Sequence, residues 1–512
     1  MTIAFRWIAD ADRNRLGMVL VVYFLALLAL RMVLFPGGSE DDAEILYYTQ
    51  SWALAYKTGQ PPLYAWMLMA VEAVLGPSMG AVVGLKFVLL ALFYVFAYLA
   101  ARRLFADGLY AALTPLALVA CFFIGWETVV NYSHTVLLLT AMAATLWLTL
   151  RLEMEDGWAA YLWLGLAIAV GLLAKYNFSL FLLPLLVASW RHSGLRAKVF
   201  RPQFALVVVL AIVLAVLPQA GGLMDGHSIA GATAAGRMFP VVDNRLSAAG
   251  SGLGQFALAT LGLVSPFLPL AIGFFPRALA GLPHPALPLI NAGRFLEAYM
   301  LALVVAVVAA ILVTGAADVR NNWLVVWFPL PMYLLLRIKV FADARGFAME
   351  KRLAWFTTVL VAIALAVPLG LAARGLVGPQ TCRKCNFFIP YADLARSLAE
   401  AGFTTGTIVA QDRPNQLAGN LRRHFPWARV VSTRWRDYQP PLIGEAGGKC
   451  LLLWQGGASE GGEVRQLAEE LRGGVPLPKT TVFRRVTLPI PRNPEHFKSW
   501  SFVVLDGEGN CR

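Results

Sequence analysis

Hydrophobic residues in this chain come in long runs rather than in stripes. Apolar stretches recur at 16–35, 81–101, 109–125, 134–150, 158–174, 177–190, 204–219, 254–275, 295–315, 323–338 and 354–374. About 20 apolar residues are needed for a helix to cross a bilayer, so the pattern predicts about eleven transmembrane helices. The stretch 61–80 differs. Pro61-Pro62 suits only a first helical turn, and Leu63 to Leu75 is apolar but short, with Glu72 inside it. It reads as a helix lying along the membrane surface. After Arg374 the runs give way to short alternating segments. Helices are predicted at 391–401, 417–424 and 463–471, and strands at 406–410, 428–432, 449–454, 480–487 and 500–505. Strands interleaved with helices suggest a small α/β layer domain. The expected organisation is a polytopic α-helical membrane domain over 1–374, with a long structured first outer loop at 36–80, and a C-terminal α/β domain over 375–512.

Charge sharpens this picture. Only 14% of residues are charged, against about 25% in soluble domains. A net charge of +13 could suit nucleic acid, but the cations sit in short clusters between apolar runs. Counting spans by parity puts Arg102-Arg103, Arg151, Arg191 to Arg201, Arg277 with Arg294, and Arg337 to Arg352 on one side. The other side holds far fewer: Lys57, Lys175, Arg237, Arg245 and Arg320. The positive-inside rule then places the N-terminus in the cytoplasm and the C-terminal domain outside. The surroundings implied are membrane lipids, not nucleic acid. Arg6, Arg13 and Arg15 precede a first run that is long enough to span and lacks a small-residue cleavage site, so it reads as a retained helix.

Ser39-Glu40-Asp41-Asp42-Ala43-Glu44 places four acids beside a membrane-length run. Charge next to hydrocarbon is costly, which makes the cluster a candidate site; a solvated loop capping the first helix is the equal alternative. Parity gathers other polar groups on the same outer face. Lys57 and Gln60 share the first loop. Glu127, Asn131, Ser133 and His134 fall in a short second loop at 126–134, and Lys175-Tyr176-Asn177 in the third. A Gly- and Ala-rich loop at 220–253 carries Arg237 and Arg245. A carboxylate there can take a proton from an attacking hydroxyl or amine. Nearby cations can neutralise a phosphate leaving group. The combination suits transfer from a phosphate-bearing lipid, although Lys175 could merely snorkel and His134 merely cap a helix. The mid-span regions read as nearly free of charge, which speaks against a proton-coupled carrier. The chain has no Walker motif, no G-x-S-x-G and no H-E-x-x-H.

Cys121 lies inside a span and reads as a packing residue. Cys382, Cys385, Cys450 and Cys511 all fall in the outer domain, an even number in a compartment that permits disulfides. The preferred pairing joins Cys382 to Cys385 and Cys450 to Cys511. The rival is a four-thiolate zinc site, for which one C-x-x-C without a second is a weak signal.

Asp41-Asp42-Ala43-Glu44 followed by Gln60-Pro61-Pro62-Leu63-Tyr64-Ala65-Trp66 resembles the Asp-Glu-Ala…Pro-Pro-Leu…Trp pattern of glycosyltransferase family 39. These are membrane transferases of the GT-C type, among them bacterial relatives of protein O-mannosyltransferases and of the aminoarabinose transferase that modifies lipid A. Trp126-Glu127 through Val136, Gly171 to Phe178, Asn322-Trp323 and Leu417 to Arg422 are similar to segments of bacterial members. The resemblance runs over nearly the whole chain. It implies a GT-C fold in the bacterial inner membrane and a sugar donor on a polyprenyl phosphate. Transfer would occur on the periplasmic side, with inversion, to a lipopolysaccharide, another glycolipid or a protein. No cofactor is implied, and a divalent metal only in some branches. Asp41 matches the base that activates the acceptor, with Asp42 and Glu44 supporting it or contacting the acceptor. Lys57, Gln60, Tyr64, Glu127, Asn131, His134, Lys175, Tyr176, Arg237 and Arg245 are the candidate substrate contacts.

The chain departs from the family pattern in three places. Asp42 stands where Glu is usual. Gln60 stands where relatives carry Lys or His, with Lys57 three residues earlier as a substitute. Asn131 stands where relatives tend to have Asp. Two other readings stand beside this one: a non-catalytic binder or translocator of lipid-linked sugars that has kept the fold, and a secondary transporter.

Overall fold

The computed structural model describes residues 3–9, 13–56, 60–105, 107–155, 157–217, 244–280, 290–345, 349–381, 386–411, 416–436, 438–443, 448–478 and 480–512. All eleven apolar runs carry helix. Seven described helices are long and apolar enough to cross a membrane: Arg15–Leu34, Met79–Leu104, Ser133–Arg151, Arg245–Val264, Asn291–Thr314, Asn321–Asp343 and Glu350–Thr381. An eighth span results if Ser193–Val199 and Phe204–Val216, bent by 66° at their break, are taken together. Of the other expected spans, two are shorter than the bilayer requires and one is at the lower limit. Gly108–Val119 has 12 residues, Trp158–Ala174 has 17 and Ser179–Arg191 has 13. Length and composition of the described helices therefore do not confirm the count of eleven.

The chain divides into two compact units. One comprises Met1–Ala26, Thr58–Leu63 and Phe87–Pro368; the other comprises Leu27–Lys57, Tyr64–Lys86 and Leu369–Arg512. The first unit is helical. Helix Ser133–Arg151 is buried over most of its length, as expected for one surrounded by other helices. Arg337, read from sequence as the start of an inner loop, is buried in helix Leu330–Asp343 and donates to the Ala278 and Ala280 carbonyls.

In the second unit, residues from the first loop group with the C-terminal part of the chain. Its five-stranded sheet has the order β2-β1-β3-β5-β4, with β1 Gly406–Ala410, β2 Ala428–Ser432, β3 Lys449–Gln455, β4 Arg484–Ile490 and β5 Asn493–Asp506. β1 lies parallel to β2 and β3, while β5 runs antiparallel to β3 and β4. β1 and β2 are buried at every residue, as parallel strands covered on both faces should be. β4 begins at Arg484 rather than at 480, and its register shifts between Pro489 and Ile490. Gly406 has φ +122°, and a side chain there would run into the Lys449 backbone. Cys450 and Cys511 form a disulfide in the core beside Leu452, Trp454 and Leu467. This removes two thiolates from any four-cysteine zinc site. Cys382 and Cys385 lie outside the described residues.

Candidate active site

The acidic stretch is not a loop. Glu40–Tyr48 is a helix begun by a capping box: the Ser39 hydroxyl accepts from the Asp42 N–H at 3.1 Å, and the Asp42 carboxylate accepts from the Ser39 N–H at 2.9 Å. The Ser-x-x-acid spacing that marks such a box was legible in the sequence and explains the structure. Three acids in the first turn also suit the positive end of the helix dipole.

Asp42 is fully buried between two cations. Lys86 Nζ lies 3.2 Å from one carboxylate oxygen and an Arg31 nitrogen 3.4 Å from the other. Arg31 also donates to the carbonyls of Phe35 at 3.0 Å and Gly37 at 2.8 Å. Burial pushes the Asp42 carboxyl up, but Lys86, Arg31 and the Ser39 hydrogen bonds outweigh it and hold the group at about 2. Arg31 and Lys86 correct the expectation of spans nearly free of charge. Both sit in apolar runs, and an ionisable residue there was a signal in itself.

Asp41 and Glu44, three positions apart, share the half-exposed side of the same helix, while Asp42, Ala43, Ile45 and Leu46 are buried. The Asp41 charge is also felt by Lys86. The other end of the helix is closed by Arg422. It donates to the Leu46 carbonyl at 2.6 Å, to the Thr49 carbonyl at 2.9 Å and to both Glu72 oxygens, at 3.2 and 3.0 Å. Thr49 Oγ1 donates to Glu72 at 2.9 Å. Burial pushes the Glu72 carboxyl up, and Arg422 and Thr49 oppose it. Helix Leu417–Arg422 packs along Glu40–Tyr48, with Gly419 so close to Ala43 that a side chain would strike its carbonyl. Asn420 Oδ1 accepts from the Gly38 N–H at 3.0 Å. Gln50 pairs with Val430 in both directions, at 3.0 and 2.8 Å. Tyr64 is fully buried in helix Leu63–Leu75.

The first unit brings the second and third predicted loops together. The 126–134 stretch is ordered: a π-helical turn, Phe123–Glu127, runs into the short helix Thr128–Val130, and Tyr132 adopts φ 66° before helix Ser133–Arg151. π-turns and left-handed non-glycine residues cost energy and cluster at functional sites. Lys175 ends helix Trp158–Ala174 and is buried, its Nζ donating to Thr135 Oγ1 at 3.0 Å, so it does not snorkel. His134 is hydrogen-bonded to the backbone of Ala174. Asn177 Nδ2 donates to the Trp323 carbonyl at 3.1 Å. Glu127, Asn131, Tyr176 and Gln60 are each half-buried. Arg245 is exposed at the start of helix Arg245–Val264, where a loop was expected to run to 253. Lys57 and Arg237 lie outside the described residues. Among the described residues, no three His, Cys, Asp or Glu side chains converge as a metal-ion site.

Residues 59–220 match the family described as dolichyl-phosphate-mannose-protein mannosyltransferase. Lipopolysaccharide core galacturonosyltransferase RgtA of Rhizobium johnstonii is 32% identical over 460 residues, covering 86% of this chain and 86% of that one. RgtB of the same organism, described by the same activity, is 28% identical over 442 residues, covering 85% and 86%. Among solved structures, ArnT from Cupriavidus metallidurans bound to undecaprenyl phosphate superposes with a TM-score of 0.61 at 13% identity, over 96% of this chain and 98% of that one. The apo form of the same protein gives 0.59 at 14% identity, over 94% and 96%. The helical membrane architecture with its small C-terminal sheet is thus that of the ArnT fold. The chain is a multi-pass membrane glycosyltransferase of the GT-C type and belongs to the family 39-like group of these enzymes.

Proposed function

We propose that the chain transfers a uronic acid, in the first place a galacturonosyl group, from a polyprenyl-phosphate carrier to a sugar of the lipopolysaccharide core. The observation that carries this reading is the 32% identity with a core galacturonosyltransferase over 86% of the chain. A lipid-linked donor is supported by the undecaprenyl phosphate bound in the structurally similar ArnT. Asp41 is the base. Its carboxylate takes the proton of the acceptor hydroxyl as that oxygen attacks the anomeric carbon, and the polyprenyl phosphate leaves from the opposite face with inversion. Lys175 and Arg245 are the described cations proposed to meet the phosphate, with Lys57 and Arg237 as further candidates. Asp42 and Glu44 support Asp41. Much of the rate would come from positioning and from charge complementarity to the leaving group. The chain lies in the bacterial inner membrane with the N-terminus cytoplasmic, and residues 375–512 form a periplasmic α/β domain. The cation clusters at Arg102-Arg103 and at Arg191 to Arg201 support this orientation.

The test uses the purified full chain in lipid nanodiscs, a polyprenyl-phosphate galacturonic acid donor and core lipopolysaccharide as acceptor, with the product followed by mass spectrometry. Asp41→Asn should lower transfer by roughly 10²–10⁴-fold while donor binding persists. Transfer by Asp41→Asn at the normal rate refutes the base. No uronosyl product from the unmodified chain refutes the donor and acceptor.

A further inference from the structure

Within the helical unit, a cavity of about 460 Å³ is lined by Val187, Trp190, Arg191, Arg196 and Arg294. An apolar groove of about 270 Å³ shares Val187, Trp190 and Arg196 with it and continues along Leu186, Val199, Phe200 and Phe204. The two are formed by four helices and the bend between two of them. Helix Ser179–Arg191 packs on helix Asn291–Thr314, and Ser193–Val199 meets Phe204–Val216 at 66°. A short basic helix followed by a sharp turn into an apolar one is the geometry of a segment at a membrane interface.

The chemistry of the lining is one-sided. Three guanidinium groups face the cavity, and no carboxylate lines it among the described residues. The nearby Glu153 carboxylate lies outside the lining, 3.8 Å from the His192 ring. Arg294 is held by Asn291 Oδ1 at 2.7 Å, and Asn291 is tied to Ser193 at 3.0 Å, so its guanidinium is positioned rather than loose. Its Nε is buried with no hydrogen-bond partner among the described residues. A buried donor left in that state costs free energy that an anionic oxygen would recover. Trp190 and Phe200, both largely exposed, flank the arginines with apolar surface.

We propose that this cavity and groove bind an anionic glycerophospholipid. Its phosphodiester lies among Arg191, Arg196 and Arg294, and one acyl chain lies along Leu186, Val199, Phe200 and Phe204. Arginine forks match phosphate oxygens in pairs, and basic pockets between membrane helices select lipid headgroups. A zwitterionic headgroup fits less well, because its ammonium would meet three arginines with no acid among them.

The full chain in neutral detergent is titrated with dioleoyl phosphatidylglycerol and with dioleoyl phosphatidylcholine, and bound lipid is counted by native mass spectrometry. The phosphatidylglycerol should be retained preferentially. Arg196→Gln and Arg294→Gln should each lower its occupancy about fivefold. Arg102→Gln with Arg103→Gln, a basic pair elsewhere, should leave it unchanged. Phe200→Ser with Phe204→Ser should weaken the lipid through the groove. Arg196 is exposed, so Arg196→Gln carries the test even if Arg294→Gln fails to fold. Equal retention of the two lipids overturns the site, as does an equal loss in the Arg102 and Arg103 variant. Full displacement of phosphatidylglycerol by an equal concentration of inorganic phosphate would show a phosphate site without a role for the acyl groove, and also overturns it.

Discussion

The guanidinium of Arg422 meets the carboxylate of Glu72 at 3.0 Å across 350 residues of sequence. The same side chain donates to the last carbonyls of the helix that carries Asp41 and Glu44. Asp42, between Arg31 and Lys86, holds the first turn of that helix. The proposed base therefore stands on an element tied at both ends by buried ionic contacts, which suits chemistry that depends on position.

Arg422→Met leaves the buried Glu72 carboxylate with Thr49 as its remaining hydrogen-bond donor among the described residues. Both partners of the pair are nearly buried, with 11% and 6% of their side chains exposed. Breaking such a pair costs about 3–5 kcal/mol. The double variant Arg422→Met with Glu72→Met should recover much of that loss, because no uncompensated charge remains. Thermal unfolding of the two variants checks this; equal melting temperatures would mean the pair is not coupled.

Asp42→Asn leaves Arg31 and Lys86 facing each other without the carboxylate they share, and should destabilise by about 3–5 kcal/mol. The pH dependence has a definite sign. The folded carboxyl is held at about 2, below its ordinary 3.8. Its stabilisation is thus fully present above pH 4 and is lost as pH falls through 2. Acid unfolding of the unmodified chain should steepen in that window, and Asp42→Asn should lack that component while differing little in slope at neutral pH.

Gly419→Ala places a methyl group against the Ala43 carbonyl. Helix Leu417–Arg422 must then move off helix Glu40–Tyr48, at about 1–3 kcal/mol. If the second helix positions the base, transfer should fall by more than the loss of folded protein explains. Gly462→Ala, with open space around its added methyl, is the control and should leave both measurements unchanged.

The Cys450–Cys511 disulfide closes a loop of 61 residues. In the chain-entropy account, a closure of that length stabilises by about 4 kcal/mol. Cys511→Ala, or reduction, should lower the melting temperature of the purified chain. An unchanged melting temperature under reduction would mean that the core around Trp454 and Leu467 holds the C-terminus without the bridge.

Much of the local structure was legible in the chain. The strands at 406–410 and 428–432 and the helix at 158–174 lie where the pattern places them. Each is a mostly apolar run, and a run of that kind is favoured in a buried element by its own residues. The helix at 40–48 was harder to see, because four acids in five positions look like a solvated loop until Ser39 and Asp42 are read as a capping box.

The site was not legible in the same way. Hydropathy marks Arg31 and Lys86 as anomalies but cannot say that both turn to Asp42. Nothing local to Arg422 reveals that it closes a helix near the start of the chain, nor that Thr135 receives Lys175. The sequence by itself determined the membrane class, most of the helices and the strands of the small sheet, because burial in lipid or in a sheet rewards residues one at a time. Only the tertiary structure decided which charges meet, because the energy of an ion pair depends on a distance of a few ångströms between residues hundreds of positions apart.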